Sequence, residues 1–183
     1  MWGGVLQRVL EHKSNGLINC LGVSIQSPEE LVTALSYKSI EFIQMPLNII
    51  DWRWIGMQKK IIQEKEKRNL VIHVRSALLQ GLLSSIDENL WCRAHLVNPE
   101  TILNWLKKMA QVNACSDVAD LCFRYVRSKS WVDGVVVGME SQEQMLKNIA
   151  YFSGPVINLE QLKEIELTRP LVSINTLDPS MWL

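Results

Sequence analysis

Gly138, Ser141, Gln144 and Asn148 punctuate the stretch GVVVGMESQEQMLKNI (134–149), where an apolar run meets a glycine and then a polar, acidic segment. A glycine at the C-terminal end of a strand lets backbone approach a phosphate closely. The unpaired N–H groups of the helix that follows then point at the anion. The competing account is packing, since a buried strand needs a turn before its crossover helix. Gly138 alone fits either. No GxSxG, phosphate-binding GxxxxGK, HExxH or paired-carboxylate spacing accompanies these residues, which leaves hydrolase, glycosidase and metalloenzyme chemistry without support.

Three more apolar runs resemble the one before Gly138: LINCLGVS (17–24), IEFIQMPL (40–47) and LVIHVRS (70–76), with VDGVVVG (132–138) as the fourth. Helical periodicity fills the intervals. SPEELVTAL (27–35) opens with Ser27 as N-cap, Pro28 in the first turn and Glu30 three residues on, a capping-box pattern. WRWIGMQKKIIQEKEKRN (52–69), NPETILNWLKKMAQVN (98–113), SDVADLCFRYVRS (116–128), SQEQMLKNIAYF (141–152) and NLEQLKEIEL (158–167) are further helices with polar starts. Short apolar strands alternating with helices predict a parallel α/β sheet of four βα units. Periodicity leaves a small open sheet and half of an eight-stranded barrel equally open.

The chain has 183 residues, enough for one domain with a sizeable core, spanning 1–183 with a tail at 168–183. Nineteen basic residues balance nineteen acidic ones, so no net field draws it to nucleic acid or to an anionic membrane. Cys20, Cys92, Cys115 and Cys122 form no metal-spaced set and read as reduced, mostly buried thiols of a cytoplasmic protein. The opening MWGGVLQRVLEHKSNG lacks a signal-peptide pattern, and no apolar run is long enough to span a bilayer. His73 reads as a core or barrel-interior histidine and His95 as a solvated loop residue. The mixed-sign run QKKIIQEKEKR reads as a solvated helix face. Trp182 near the end is expected to dock onto the body of the fold.

The blocks GVSIQSPEEL, FIQMPLNIID, VRSALLQGLL and VVVGMESQEQMLKNI, in that order and spacing, resemble the fifth to eighth strands of an aldo-keto reductase. The resemblance runs from about residue 17 to 152. It implies a partial TIM (β/α)8 barrel, a half-barrel whose function sits on the loops after the strands. It implies hydride transfer between NADP(H) and an aldehyde, ketone or sugar carbonyl. By the same resemblance, Ser24 and Gln44 would hold the nicotinamide amide, although Ile25 stands where an asparagine often follows. Arg75 and Ser76 would stack under the nicotinamide and start the pyrophosphate loop, which Leu78, Gln80 and Gly81 continue. Gly138 and Ser141 match the 2′-phosphate segment, and Gln144 and Asn148 match positions near the adenosine. An arginine often seen in that segment is missing.

The family's catalytic Asp, Tyr, Lys and His lie on its second to fourth strands, and neither Tyr37 nor His12 matches them. The expectation is therefore a cofactor-binding half that is inactive alone. The alternative is a non-catalytic nucleotide-binding or protein-interaction module. A half-barrel would expose its first and last strands as edges and leave Trp2, Leu6 and Val9 of the opening helix uncovered. Self-association, or pairing with a missing N-terminal half, is the expected consequence.

Overall fold

In the computed structural model, which describes residues 3–183, the four apolar runs become parallel strands: β1 (Gly22–Ser24), β2 (Phe42–Pro46), β3 (Val71–Arg75) and β4 (Gly134–Val135). They form one sheet in the order β1-β2-β3-β4. Each strand thus lies beside its predecessor, whereas a doubly wound sheet reverses order at a switch point. Sequential parallel order is the layout of a barrel segment, a half-barrel of α/β type. Trp2 lies outside the described residues.

The strands are shorter than the apolar runs that contain them. β1 begins at Gly22 rather than near residue 18, and β4 stops at Val135 rather than at Gly138. Both are the outer strands of the sheet and pair on one side only. After the Val136 N–H donates to the Val74 carbonyl at 2.7 Å, the chain turns away toward the next helix.

Side-chain alternation divides the sheet into two faces. Ile43, Met45, Ile72 and Val74 are completely buried and face the helices. Phe42, Gln44, His73 and Arg75 alternate with them and are half-buried on the other face. The register places Ser24 beside Gln44, Gln44 beside His73, and His73 beside Gly134. These four residues make one row across that second face.

The helices are α1 (Gly3–Ser14), α2 (Pro28–Ser36), α3 (Gln58–Lys67), α4 (Glu88–Arg93), α5 (Glu100–Val112), α6 (Val118–Arg127), α7 (Gln142–Ser153), α8 (Leu159–Thr168) and α9 (Ile174–Leu177). Their apolar faces bury Leu31, Ile61, Trp91, Leu106 and Leu121. Ser27 caps α2 by accepting from the Glu30 N–H at 3.3 Å, but Glu30 reaches one residue further back, to the Gln26 N–H at 2.6 Å. A full reciprocal capping box forms instead at Asn158 and Gln161 of α8. The start of the segment 52–69 is a 3-10 turn, Trp52–Met57, before α3 proper. Asp51 directs that turn: its carboxylate takes both Nε and Nη2 of Arg53, at 2.9 and 2.7 Å, and the Trp54 indole N–H at 2.9 Å.

The cysteines divide differently from the expectation that most are buried. Cys20 and Cys92 are exposed, Cys115 is half-buried, and Cys122 alone is fully enclosed. Cys20 lies in the loop before β1, and Cys92 sits on α4 next to the buried Trp91 but on the solvent side of that helix. The tail docks as expected. Trp182 is half-buried with its indole N–H donating to the Thr176 carbonyl at 3.2 Å, and Leu183 exchanges bonds with Arg93 through its N–H at 3.2 Å and its carbonyl at 2.8 Å. Among the described residues, no helix is long and apolar enough to cross a membrane.

Candidate functional site

At the C-terminal ends of β3 and β4 the chain encloses an open cleft of about 540 Å³. Seven of the candidate residues line it: Arg75, Ser76, Leu78, Gln80 and Gly81 on one wall, Gly138 and Gln144 on the other. Phe123 of α6, Met139 and Glu140 are also among its lining residues.

The wall after β3 has an unusual backbone. Ser76, Leu79 and Gln80 adopt left-handed φ values of 61°, 47° and 55°, and Gly81 follows at 83°. Only the last is free of the Cβ penalty that makes this region costly for L residues. A run of left-handed residues departs from regular backbone pairing and leaves N–H groups free, the raw material of an anion-binding concavity. Among the described residues, none accepts from the N–H groups of Ala77, Leu78, Gln80 or Gly81. The N–H groups of Leu79 and Leu82 are used internally, at 2.8 Å to Ser76 O and 3.0 Å to Leu79 O, and they hold the loop in shape.

Arg75 brings a cation to the same cleft. Its guanidinium donates to the Gln26 carboxamide oxygen at 2.8 Å and to the Ile25 carbonyl at 3.2 Å, both neutral acceptors. Gln26 is itself fixed by donating to Asp178 at 3.1 Å, so the tail helps aim Arg75. Among the described residues, no carboxylate forms an ion pair with this guanidinium. Gln26 carries no signal in the sequence; only the fold shows that it positions Arg75.

On the opposite wall, Gly138 has no steric reason within the chain to be glycine. Its φ lies outside the left-handed region, and a Cβ built there meets nothing within 4 Å. The packing account of this glycine therefore has no support, and the open space it leaves belongs to the cleft. Ser141 caps α7, accepting from the Gln144 N–H at 3.2 Å, while Gln144 Oε1 accepts from the Glu140 N–H at 2.7 Å. Ser141 is outside the cleft lining, and half-buried Asn148 lies further along α7. Ser24 and Gln44 are also outside it. They sit in the row with His73, on the sheet face from which Arg75 projects.

One Asp, Tyr and Lys grouping occurs among the described residues, away from the sheet. The Tyr151 hydroxyl donates to Asp117, and Lys147 pairs with the same carboxylate at 3.2 Å. Burial and the adjacent Asp117 raise the Tyr151 phenol above its ordinary value, although Lys147 opposes them. A phenol made harder to ionise, tied across α6 and α7, is a helix clamp and not a proton donor facing the cleft.

The sequence profile described as the Aldo/keto reductase family matches residues 5–168. No curated protein sequence matches the chain. Among solved structures, the fold is similar to that of an aldo-keto reductase from Bacillus halodurans in its holo form, with a TM-score of 0.68 at 20% identity over 91% of this chain and 56% of that one. The apo form of that enzyme gives 0.69, again at 20% identity and 91% of this chain, and 57% of its own. A glycerol dehydrogenase from Gluconobacter oxydans is similar at a TM-score of 0.59 and 22% identity, over 85% of this chain and 50% of that one. The chain thus spans little more than half the length of the structures it resembles.

Proposed function

We propose, from the premise that this chain belongs to the aldo/keto reductase family, that its cleft binds a nicotinamide dinucleotide in the service of carbonyl reduction. NADP(H) is the form that the family resemblance implies, and an aldehyde, ketone or sugar carbonyl is the implied substrate. The observation that carries the reading is the run Ser76–Gly81, whose free N–H groups share a cleft with Arg75. A pyrophosphate is an anion of the size and charge that such a concavity and a guanidinium hold.

The bound dinucleotide would supply the hydride. The chain's own residues would hold it. Arg75 offers a planar cation that stacks on a ring as well as pairing with phosphate. The free N–H groups of Ala77, Leu78, Gln80 and Gly81 offer donors for phosphate oxygens, and Gly138 keeps the opposite wall clear. Ser24 and Gln44, adjacent in register, offer a hydroxyl and a carboxamide to an amide ligand.

Titrating the chain with NADPH and with NADH, followed by nicotinamide fluorescence, tests this reading. Saturable binding is expected, and Gly138→Trp, whose Cβ meets no protein atom within 4 Å and whose indole would occupy the cleft, is expected to abolish it. Unchanged binding in that variant overturns the assignment of the site. Because the Asp117, Tyr151 and Lys147 group is structural, we propose that the chain alone binds the nucleotide without reducing carbonyls. Self-association or a complementary half-barrel would then cover the row of exposed Ser24 and half-buried Gln44 and His73. Four unpaired thiols suit a reducing compartment, and the cytoplasm is the location proposed.

A further inference from the structure

Only two ionic side chains line the cleft among the described residues, Arg75 on one wall and Glu140 on the other. Glu140 directly precedes the Ser141 cap, and its N–H donates to Gln144 Oε1 at 2.7 Å, which fixes the residue at the mouth of the cleft. Its exposed carboxylate has no partner among the described residues. The cations nearest in sequence and on the packed helices are all engaged elsewhere. Lys147 pairs with Asp117 at 3.2 Å, and Arg124 holds Asp120 through two bonds of 2.7 Å. Arg127 donates to the Tyr151 and Gly154 carbonyls at 2.9 and 3.2 Å.

The cleft therefore has one concavity and one guanidinium for a pyrophosphate, and a carboxylate with no balancing cation on the facing wall. A second phosphate group has no further cationic side chain of the cleft lining to meet. A ribose diol has a ready acceptor, since a carboxylate takes hydroxyl hydrogen bonds and repels a phosphate dianion at the same place. We infer that the cleft selects a dinucleotide lacking the 2′-phosphate, NAD(H) over NADP(H), and that Glu140 is the residue that discriminates. The inference rests on the dinucleotide reading above and sharpens it to one cofactor class.

Equilibrium titration of the full chain with NADH and with NADPH at fixed ionic strength decides the matter, because it reads affinity without requiring turnover. NADH is expected to bind about 10-fold tighter or more, the effect of roughly one unfavourable charge contact. Glu140→Gln is expected to narrow the ratio and Glu140→Arg to reverse it, while Glu143→Gln, which removes the same charge outside the cleft lining, leaves it unchanged. Glu140 is exposed, so circular dichroism of both variants should match the parent chain. NADPH binding as tightly as NADH in the parent chain overturns the inference, as does a ratio that Glu140→Arg leaves in place. Both of these outcomes leave the dinucleotide reading standing. Failure of either nucleotide to bind overturns that reading itself, and the inference with it.

Discussion

The imidazole of His73 fills the space where Gly134 lacks a side chain: a Cβ on Gly134 would lie 2.7 Å from His73 Nε2. On its other side the ring meets Phe42 edge-on, with centroids 4.5 Å apart and planes at 67°. His73 is thus held in the row between β2 and β4. Gly134→Ala is expected to force the ring off its rotamer and destabilise the fold by about 1–3 kcal/mol. In a His73→Ala background the same substitution is expected to cost far less. A double-mutant cycle by urea denaturation measures the difference, and additive effects would mean that the contact is not the reason for the glycine.

Asp51 and Arg53 are both nearly inaccessible, with side-chain exposures of 0% and 7%. Asp51→Ala leaves the guanidinium and the Trp54 indole N–H without their acceptor. Breaking one side of a buried pair costs about 3–5 kcal/mol, and a denaturation midpoint lowered accordingly is expected. Arg53→Ala should be similarly damaging, and the double variant Asp51→Leu/Arg53→Met milder than either single change.

Acid should weaken the contact between α8 and the segment that follows α6. Burial pushes the Glu166 carboxyl up, but Lys129 and the hydrogen bond from Gln58 outweigh it and hold Glu166 below the ordinary glutamate range. A depressed carboxylate contributes stability that is complete above its unfolded value and is lost as pH falls through the lower folded value. Unfolding free energy should therefore drop as pH falls below the ordinary glutamate range. Glu166→Gln should be less stable at neutral pH, because Lys129 stays buried without its counter-ion, and should lose less on acidification. Parallel pH profiles for the two proteins would exclude Glu166 as the source.

Thiol titration checks the solvent-facing surfaces. Cys20 and Cys92 should react with an aromatic disulfide reagent at once under native conditions. Cys122 should react only on unfolding, and burial pushes the Cys115 thiol up to about 11, which keeps it largely un-ionised at neutral pH. Two fast thiols followed by two slow ones is the expected count.

Association follows from the outer strands. β1 and β4 each pair on one side, and in the row across the open face Ser24 is exposed while Gln44 and His73 are half-buried. Sedimentation over a range of concentrations should show mass rising with concentration, as unpaired strand edges recruit a second chain. A compact monomer throughout would overturn the proposed self-association.

Much of this architecture was legible in the residues. Strand cores around Ile43 and Ile72 announce themselves by apolar alternation, and Ser27, Asp117 and Ser141 mark helix starts by their capping chemistry. The outer limits of β1 and β4 were not legible, because strand length at a sheet edge depends on the neighbour available and not on local propensity. Helix α4 was missed because six residues give no periodic signal. In the cleft, the Gly138 and Arg75 walls were readable as types at strand ends. Their meeting with Phe123, which lies far along the chain from Arg75, is a product of packing. The cleft carboxylate stood in plain view within GMESQEQ, yet nothing in the sequence shows that its neighbouring cations are all occupied.

The left-handed loop after β3 has a thermodynamic consequence. Three non-glycine residues held at positive φ each cost about 1–2 kcal/mol, and that cost falls on folding, before any ligand arrives. The cradle is consequently preorganised: its unpaired N–H groups are held in place before an anion enters. Gln80→Gly, which removes one such penalty, should raise stability while widening the loop's range of motion. Calorimetry of nucleotide binding to that variant should show a larger opposing entropy than in the parent chain. The loop trades some resistance to unfolding for rigidity where the ligand is received.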